Sequence, residues 1–195
     1  LDLPFSEQLK FIGGARVETT HLATNLSPEA NAQWFPQGGF LPQFMKDADP
    51  GDYNQDFEET DLLPALALSY EPTDMFAIYA GYSQTIARQT FKEITPILHQ
   101  EFLGGPIFIG NPDLGMSELK NFDLRMDYKP YDGGLLSVSW FHKDIKDPIE
   151  YVQRVAALTF TEPVNYPKGQ LTGFEFEARQ DLGHFLEPLD GFTIG

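Results

Sequence analysis

The chain has 195 residues, with 29 acidic against 13 basic side chains and a formal net charge of −16. That balance argues against nucleic acid as a partner, because such binding needs a basic surface that releases counterions. Cysteine is absent, which excludes disulfides and thiolate metal sites. Aromatic residues make up 14% of the chain, with 17 Phe, 8 Tyr and 2 Trp, a high content for so acidic a protein. No apolar run reaches the length of a spanning helix. The opening residues LDLPFSEQLK lack the charged and apolar regions of an export signal, so the signal of an exported protein would lie upstream.

Alternation begins at residues 8–23. Leu9, Phe11, Gly13, Ala15 and Val17 share one parity, and Lys10, Arg16 and Glu18 the other. Successive side chains of a strand point to opposite faces, so parity assigns face. Residues 25 to about 60 are rich in Pro, Gly, Asn and Asp and carry Trp34, Phe35, Phe40, Phe44 and Tyr53. So long a structureless connection is either evidence against the strand assignment or the sign of a functional loop. A second strand is expected over 62–70, with Leu62, Leu66, Leu68 and Tyr70 opposite Ala65, Ala67 and Ser69. Pro64 lies near its start, where a missing donor does least harm. A tight connection at 71–74 leads to a third strand over 75–87, and a long loop over 88–116 follows. In that third strand Phe76, Ile78, Ala80 and Tyr82 oppose Ala77, Tyr79, Gly81 and Ser83.

Residues 117–147 alternate most cleanly. Phe122, Leu124, Met126 and Tyr128 oppose Asn121, Asp123, Arg125 and Asp127; after the breaker cluster 130–134, Leu136, Val138 and Trp140 oppose Ser137 and Ser139. Two such runs around a Gly-rich turn predict an antiparallel hairpin. An irregular region over 148–168 includes an apolar patch at 155–160 that reads as a hairpin tip. A sixth strand over 169–180 sets Phe174, Phe176 and Ala178 against Glu175, Glu177 and Arg179, and a turn over 181–191 leads to a seventh at Phe192.

Connection length alternates along the chain: long, tight, long, tight, long. Up-and-down strands with short turns at one end and long loops at the other are the mark of outer-membrane barrels. The strands also approach the 9–11 residues that a tilted spanning strand needs. An Arg facing lipid at the midplane costs about 2–4 kcal/mol. The parity of Arg16, Asp123, Arg125, Asp127, Glu175, Glu177 and Arg179 is therefore expected to face a lumen, and the Leu, Phe and Met rows to face lipid. Tyr70, Tyr128 and Trp140 fall where interfacial girdles sit, which accounts for the aromatic content. A soluble β-sandwich binding or adhesion module shares the alternation and is the competing reading. The fold class expected is all-β: an antiparallel up-and-down transmembrane β-barrel section of about seven strands.

Four segments in succession also resemble the barrel domain of TonB-dependent outer-membrane receptors. They are LPALALSYEP leading to YSQTIARQTFKE, then GNPDLGMSELKNFDLRMDYKP, then GGLLSVSWFHKDIKDPIE, then GQLTGFEFEARQDLG; FIGGARVETT is a weaker match. Within ARQTF, Gln89 follows Arg88 where the family often has proline, so the loop is expected to leave the strand differently. The resemblance implies that residues 1–195 are part of a larger barrel of about 22 strands. It also implies a plug domain, absent here, through which a TonB partner delivers energy. It places the protein in the outer-membrane lipid of a bacterium, with turns 71–74 and 130–134 periplasmic and the long loops extracellular. The function implied is import of a large scarce nutrient, a siderophore, oligosaccharide or similar small molecule, and not catalysis.

The residues add candidate chemistry. Trp34, Phe35, Tyr53, Phe102 and Phe108 offer flat faces to a sugar ring or an apolar ligand, with loop packing as the alternative role for each. Arg88, Asn111 and Asp113 complete the ligand-binding candidates, although Asn111-Pro112 reads first as a turn back into a strand. The acidic stretch DADPGDYNQDFEETD puts Gly51 and Asp52 at the wrong offsets for a calcium loop and reads as a solvated segment. His21, His99, His142 and His184 lack metal-ligand spacing, and no metal or cofactor is expected. No nucleophile elbow, phosphate loop or dinucleotide fingerprint occurs, and no Ser–His or acidic dyad stands out for a barrel enzyme.

Overall fold

The structure, a computed structural model, describes residues 2–27, 31–34, 36, 41–155, 158–189 and 191–195. Its strands are β1 (Asp2–Pro4), β2 (Leu9–Thr24), β3 (Gln33–Trp34), β4 (Gln43–Phe44), β5 (Gln55–Thr73), β6 (Phe76–Ala87) and β7 (Leu98–Gln100). There follow β8 (Ile107–Ile109), β9 (Ser117–Tyr128), β10 (Gly134–Lys146), β11 (Ile149–Val155), β12 (Thr159–Asn165), β13 (Lys168–Asp181) and β14 (Thr193–Ile194). One-turn helices α1 (Pro50–Tyr53) and α2 (Phe91–Ile94) lie in the first two long connections.

Eight strands pair into one sheet in the order β1-β2-β5-β6-β9-β10-β13-β14, each pair antiparallel. The order follows the chain once the loop strands are set aside, so this is a meander without crossovers. The described strands do not close into a ring. The turn between β9 and β10 uses Gly133 at φ 86, a backbone region that favours glycine.

Register confirms the faces that alternation predicts. Phe76 lies opposite Tyr128 and Tyr128 opposite Leu136; Tyr82 lies opposite Phe122 and Phe122 opposite His142. Aromatic pairs mark both ends of this apolar band. Phe76 stacks on Tyr128 at 4.7 Å between ring centroids; at the other end Tyr82 meets Phe122 at 5.1 Å, and Trp140 lies parallel to His142 at 6.1 Å. Between them Leu124, Met126, Val138 and Phe176 form adjoining rows, and Phe176 is 81% exposed. A contiguous apolar face of this extent requires an apolar medium. The other face carries charge. Arg125 donates to Asp127 at 2.7 Å and to Glu177 at 3.0 Å, and Arg179 donates to Glu177 at 2.9 Å.

Several boundaries differ from the sequence expectation. The second strand starts at Gln55 and takes in the end of the acidic stretch, because β2 continues to Thr24 and pairs with it throughout. The start of that stretch is ordered by Asp49, which accepts from Gly51 N–H at 3.2 Å and shares a capping box with Asp52. Pro64 is consequently mid-strand. It lies one residue beyond Ala65, the last β5 residue paired with β6, at a local sheet edge where a residue without an N–H is tolerated. Within 148–168 the strands β11 and β12 pair antiparallel, residues 156–157 of the expected hairpin tip lie outside the described residues, and β1 is an additional edge strand.

Candidate functional site

The long connections gather beyond one end of the sheet. The second one begins with the T-x-x-E pattern Thr90–Glu93, which closes a capping box around α2. The Glu93 carboxylate accepts from Thr90 N–H at 2.6 Å and from the Thr90 hydroxyl at 2.9 Å. The chain then forms β7 and β8 and returns past Gly110. A Cβ at Gly110 would lie 2.7 Å from the Lys92 carbonyl oxygen and 2.8 Å from that of Glu93. Only glycine permits this approach.

The third connection, β11–β12, docks on the second. Thr161 of β12 pairs in parallel with Phe108 of β8, giving a sheet ordered β11-β12-β8-β7. Ile109 and Phe160 are buried between the two connections, with Leu98, Ile107 and Leu158 packed around them. Asn111 donates to the Pro163 carbonyl at 3.1 Å, and Asn165 bonds to Gly115 in both directions. The first connection makes its own core. Trp34 and Tyr53 are 6% and 0% exposed and meet edge-on at 6.3 Å, with Met45 beside them and Ile97 packed against the cluster.

Between the second and third connections lies a cavity of about 420 Å³, within the range of small-molecule sites. Glu93, His99, Phe108, Tyr151 and Thr161 contribute to its walls. The Tyr151 hydroxyl donates to Glu93 at 2.5 Å, and the Tyr151 ring meets Phe108 at 5.8 Å. The Lys92 ammonium sits 4.8 Å from the Phe108 ring centre. Burial raises the Glu93 pKa, but the bonds from Tyr151 and Thr90 outweigh it and hold the carboxyl below its ordinary range. The bond to Glu93 in turn raises the Tyr151 phenol. Burial, then the charge of Lys92, lowers His99, which favours the neutral imidazole. The His99 Nε2 is shielded and finds no hydrogen-bond partner among the described residues.

The structure separates the sequence candidates. Phe108 lines the cavity. Phe102 is 63% exposed and outside its walls, and Phe35 lies outside the described residues. Trp34 and Tyr53 face each other in the first-loop core. Arg88 pairs with Glu18 and donates to the Thr20 hydroxyl at 2.9 Å, tying the end of β6 to β2. Gln89, in place of the family's proline, is buried and donates to the Leu114 carbonyl at 2.5 Å. Asn111 lies in a turn, where its side chain accepts from Asp113 N–H at 3.0 Å. On the main sheet Arg16, Asp123, Arg125, Asp127, Glu175, Glu177 and Arg179 all fall on the face opposite the apolar rows. Sequence reasoning missed Glu93, His99 and Tyr151. The capping box at Thr90 was a legible signal for Glu93; nothing local pointed to Tyr151.

An antiparallel meander with an apolar, aromatic-bordered face, a charged face and alternating connection lengths is a section of an outer-membrane β-barrel. The chain belongs to the TonB-dependent receptors: the family model described as TonB dependent receptor-like, beta-barrel, matches residues 1–194. Barrels of this family lie in the outer membrane of Gram-negative bacteria, so the apolar face meets lipid. The chain is similar to the probable hemoglobin and hemoglobin-haptoglobin-binding protein 4 of Haemophilus influenzae, at 22% identity over 145 residues, covering 67% of this chain and 14% of that protein. It also resembles the hemophore receptor HasR of Serratia marcescens, solved with its hemophore HasA and heme, with TM-score 0.65 at 15% identity, covering 90% of this chain and 30% of that one. The copper transporter OprC gives TM-score 0.64 at 15% identity, covering 92% of this chain and 25% of that one. The chain thus spans less than a third of the length of each of these relatives.

Proposed function

We propose that this chain is part of a TonB-energised outer-membrane importer that captures a scarce, metal-bearing nutrient at its loop cap. The observation that carries this reading is the construction of one cavity by two connections that leave different strand pairs. Relatives named for hemoglobin binding, for a hemophore with heme and for copper favour a metal-bearing cargo over an oligosaccharide. The residues agree with that cargo. His99, held toward its neutral form, stands in the cavity wall beside the rings of Phe108 and Tyr151, which offer faces to such a cargo. The charged parity from Arg16 to Arg179 lines the lumen in this reading, offering hydrogen bonds to water or to a plug domain. Energy from TonB would act on that plug, and the chain itself carries out no chemical conversion.

The test is uptake by cells that depend on the full-length receptor, with heme and a copper salt as probes. Uptake of one probe should stop when the proton gradient collapses, and His99→Ala with Phe108→Ala should weaken its binding about tenfold. If neither probe binds, or if binding is unchanged in the double variant, the cavity is not the cargo site. Should the full-length protein purify without detergent as a stable monomer, the importer reading itself would be lost.

A further inference from the structure

We infer that the rim of the loop cavity is a docking surface for a folded carrier protein that delivers the cargo, with Leu103 as the residue that enters the carrier. This rests on the importer reading above and narrows it to a cargo that arrives held by a protein. Large apolar side chains stand in water around the cavity. Leu103 is 99% exposed, and Phe91, Phe102 and Tyr151 are each more than half exposed. Tyr151 is itself a wall of the cavity; Phe91 adjoins Lys92 in the chain and Phe102 adjoins Glu101, both of which line it. Apolar residues scattered singly over a surface need no explanation, whereas a set gathered at the mouth of one cavity marks an interaction site.

Leu103 is presented by a built turn. Gly105 N–H donates to the Phe102 carbonyl at 2.9 Å, and Gly104 takes φ 81 at the third position, where such a turn uses glycine. The Gln100 side chain donates to the Gly105 carbonyl at 2.9 Å. A Cβ on Gly105 would meet the Phe102 ring at 2.9 Å, so that ring folds back over the turn and Leu103 projects beyond it. The bilayer does not cover this rim. Strand β6 runs from Tyr82 of the aromatic row to Ala87 before the second connection begins. That is about 12 Å of height for a strand tilted near 45°, and the headgroups add only ~5–8 Å to the hydrocarbon core. A small molecule inside the cavity does not cover it either, because Leu103 lies outside the walls. A second copy of the chain brings the same formal charge of −16 and is repelled. A different protein with an apolar pocket and a basic border fits, since Glu101 at the base of the turn stands exposed, with its ion-pair partner Lys92 3.8 Å away.

The test uses the full-length receptor in detergent, with free heme and heme held in hemoglobin as the two probes. Leu103→Asp should weaken hemoglobin binding about tenfold or more, as the loss of a central apolar anchor does, and leave free heme unchanged; Leu103→Met should keep both. Unchanged hemoglobin binding in Leu103→Asp overturns the inference. An equal loss of free heme overturns it too, because Leu103 would then serve the cavity alone. A parent that takes free heme or a copper salt and not hemoglobin also overturns it, while the importer reading stands. A parent that dimerises through Leu103, read as a dimer lost in Leu103→Asp, would assign the turn to a second copy and overturn the carrier. Since Leu103 is solvent-exposed, the variant should keep its fold, and its retained heme binding verifies that. His99→Ala with Phe108→Ala should weaken both probes, so a failure at the rim and a failure at the cavity are told apart.

Discussion

Asn165 and Gly115 exchange two hydrogen bonds: Gly115 N–H donates to Asn165 Oδ1 at 2.8 Å, and Asn165 Nδ2 donates to the Gly115 carbonyl at 3.1 Å. The remaining N–H of the same amide reaches the Asp147 carbonyl at 2.8 Å, which also accepts the Ser117 hydroxyl at 2.9 Å. Asp147 leaves β10 at φ 51, an uncommon conformation outside glycine. One amide therefore fastens the start of β9, the end of β10 and the end of β12.

Replacing that amide should loosen the cap and spare the sheet. Asn165→Ala removes three bonds and leaves partly buried groups unmatched, which costs about 1–3 kcal/mol for each unsatisfied group. Hydrogen exchange on the full-length receptor should quicken over residues 107–116 and 159–165 and stay slow in β9 and β10. Uniform quickening of all four segments would contradict the local role.

Gly110→Ala should disrupt the second connection. The new methyl group would collide with the carbonyls of Thr95, Lys92 and Glu93, whereas at Gly14 a Cβ meets nothing within 4 Å. Limited proteolysis should cut the 88–116 segment faster in Gly110→Ala and not in Gly14→Ala. Equal protection in the two variants would show that the backbone gives way without cost.

Acidification should weaken the cap in two stages. His99 and Glu93 are both held below their ordinary values, so each binds its proton less readily in the folded state than in the unfolded one. A depressed folded value contributes stability that is present above the unfolded value and lost as pH falls through the folded one. The His99 contribution is therefore full above about pH 6.5, and that of Glu93 above about pH 4.3. Hydrogen exchange of residues 98–109 should rise below the first of these, and His99→Gln should remove that first step alone. A first step that persists in His99→Gln would rule out the histidine as its source.

The two faces of β13 should respond unequally to a change of charge. Phe176→Arg puts a guanidinium into the lipid-facing row, at a cost of about 2–4 kcal/mol near the midplane. Glu175→Gln, one residue away on the charged face, should change stability by less than about 1 kcal/mol. Denaturant titration of the refolded receptor in lipid vesicles measures both. Equal losses would mean that the faces are not distinguished by their medium.

Alternation was legible wherever one residue in two faces a different medium. Phe122 to Tyr128 and Phe174 to Ala178 could be assigned from the sequence alone, and their cross-strand register agrees. Boundaries were less legible. Residues 55–61 mix four acidic side chains with Gln55, Phe57 and Thr60 and break the alternation at Glu58-Glu59, a pattern that suits a solvated segment as well as a two-strand ribbon projecting past β6. Of the ligand candidates, Phe108 reaches the cavity, while Trp34 and Tyr53 turn toward each other. An aromatic ring in an irregular segment carries no period, so its sequence says that it must be covered and not by what.

Taken alone, the sequence determined a two-faced antiparallel meander, with tight turns at one end and long connections at the other. That much follows from local geometry, because the side-chain period of a strand is two whatever its neighbours are. Only the tertiary structure decided how the connections combine. Glu93 and Tyr151 meet across 58 residues, Asn111 and Pro163 across 52, and Thr161 sets a parallel pairing with Phe108 between two separate loops. Such contacts form because buried polar groups must find partners wherever the fold brings them, and no short-range pattern records where that is.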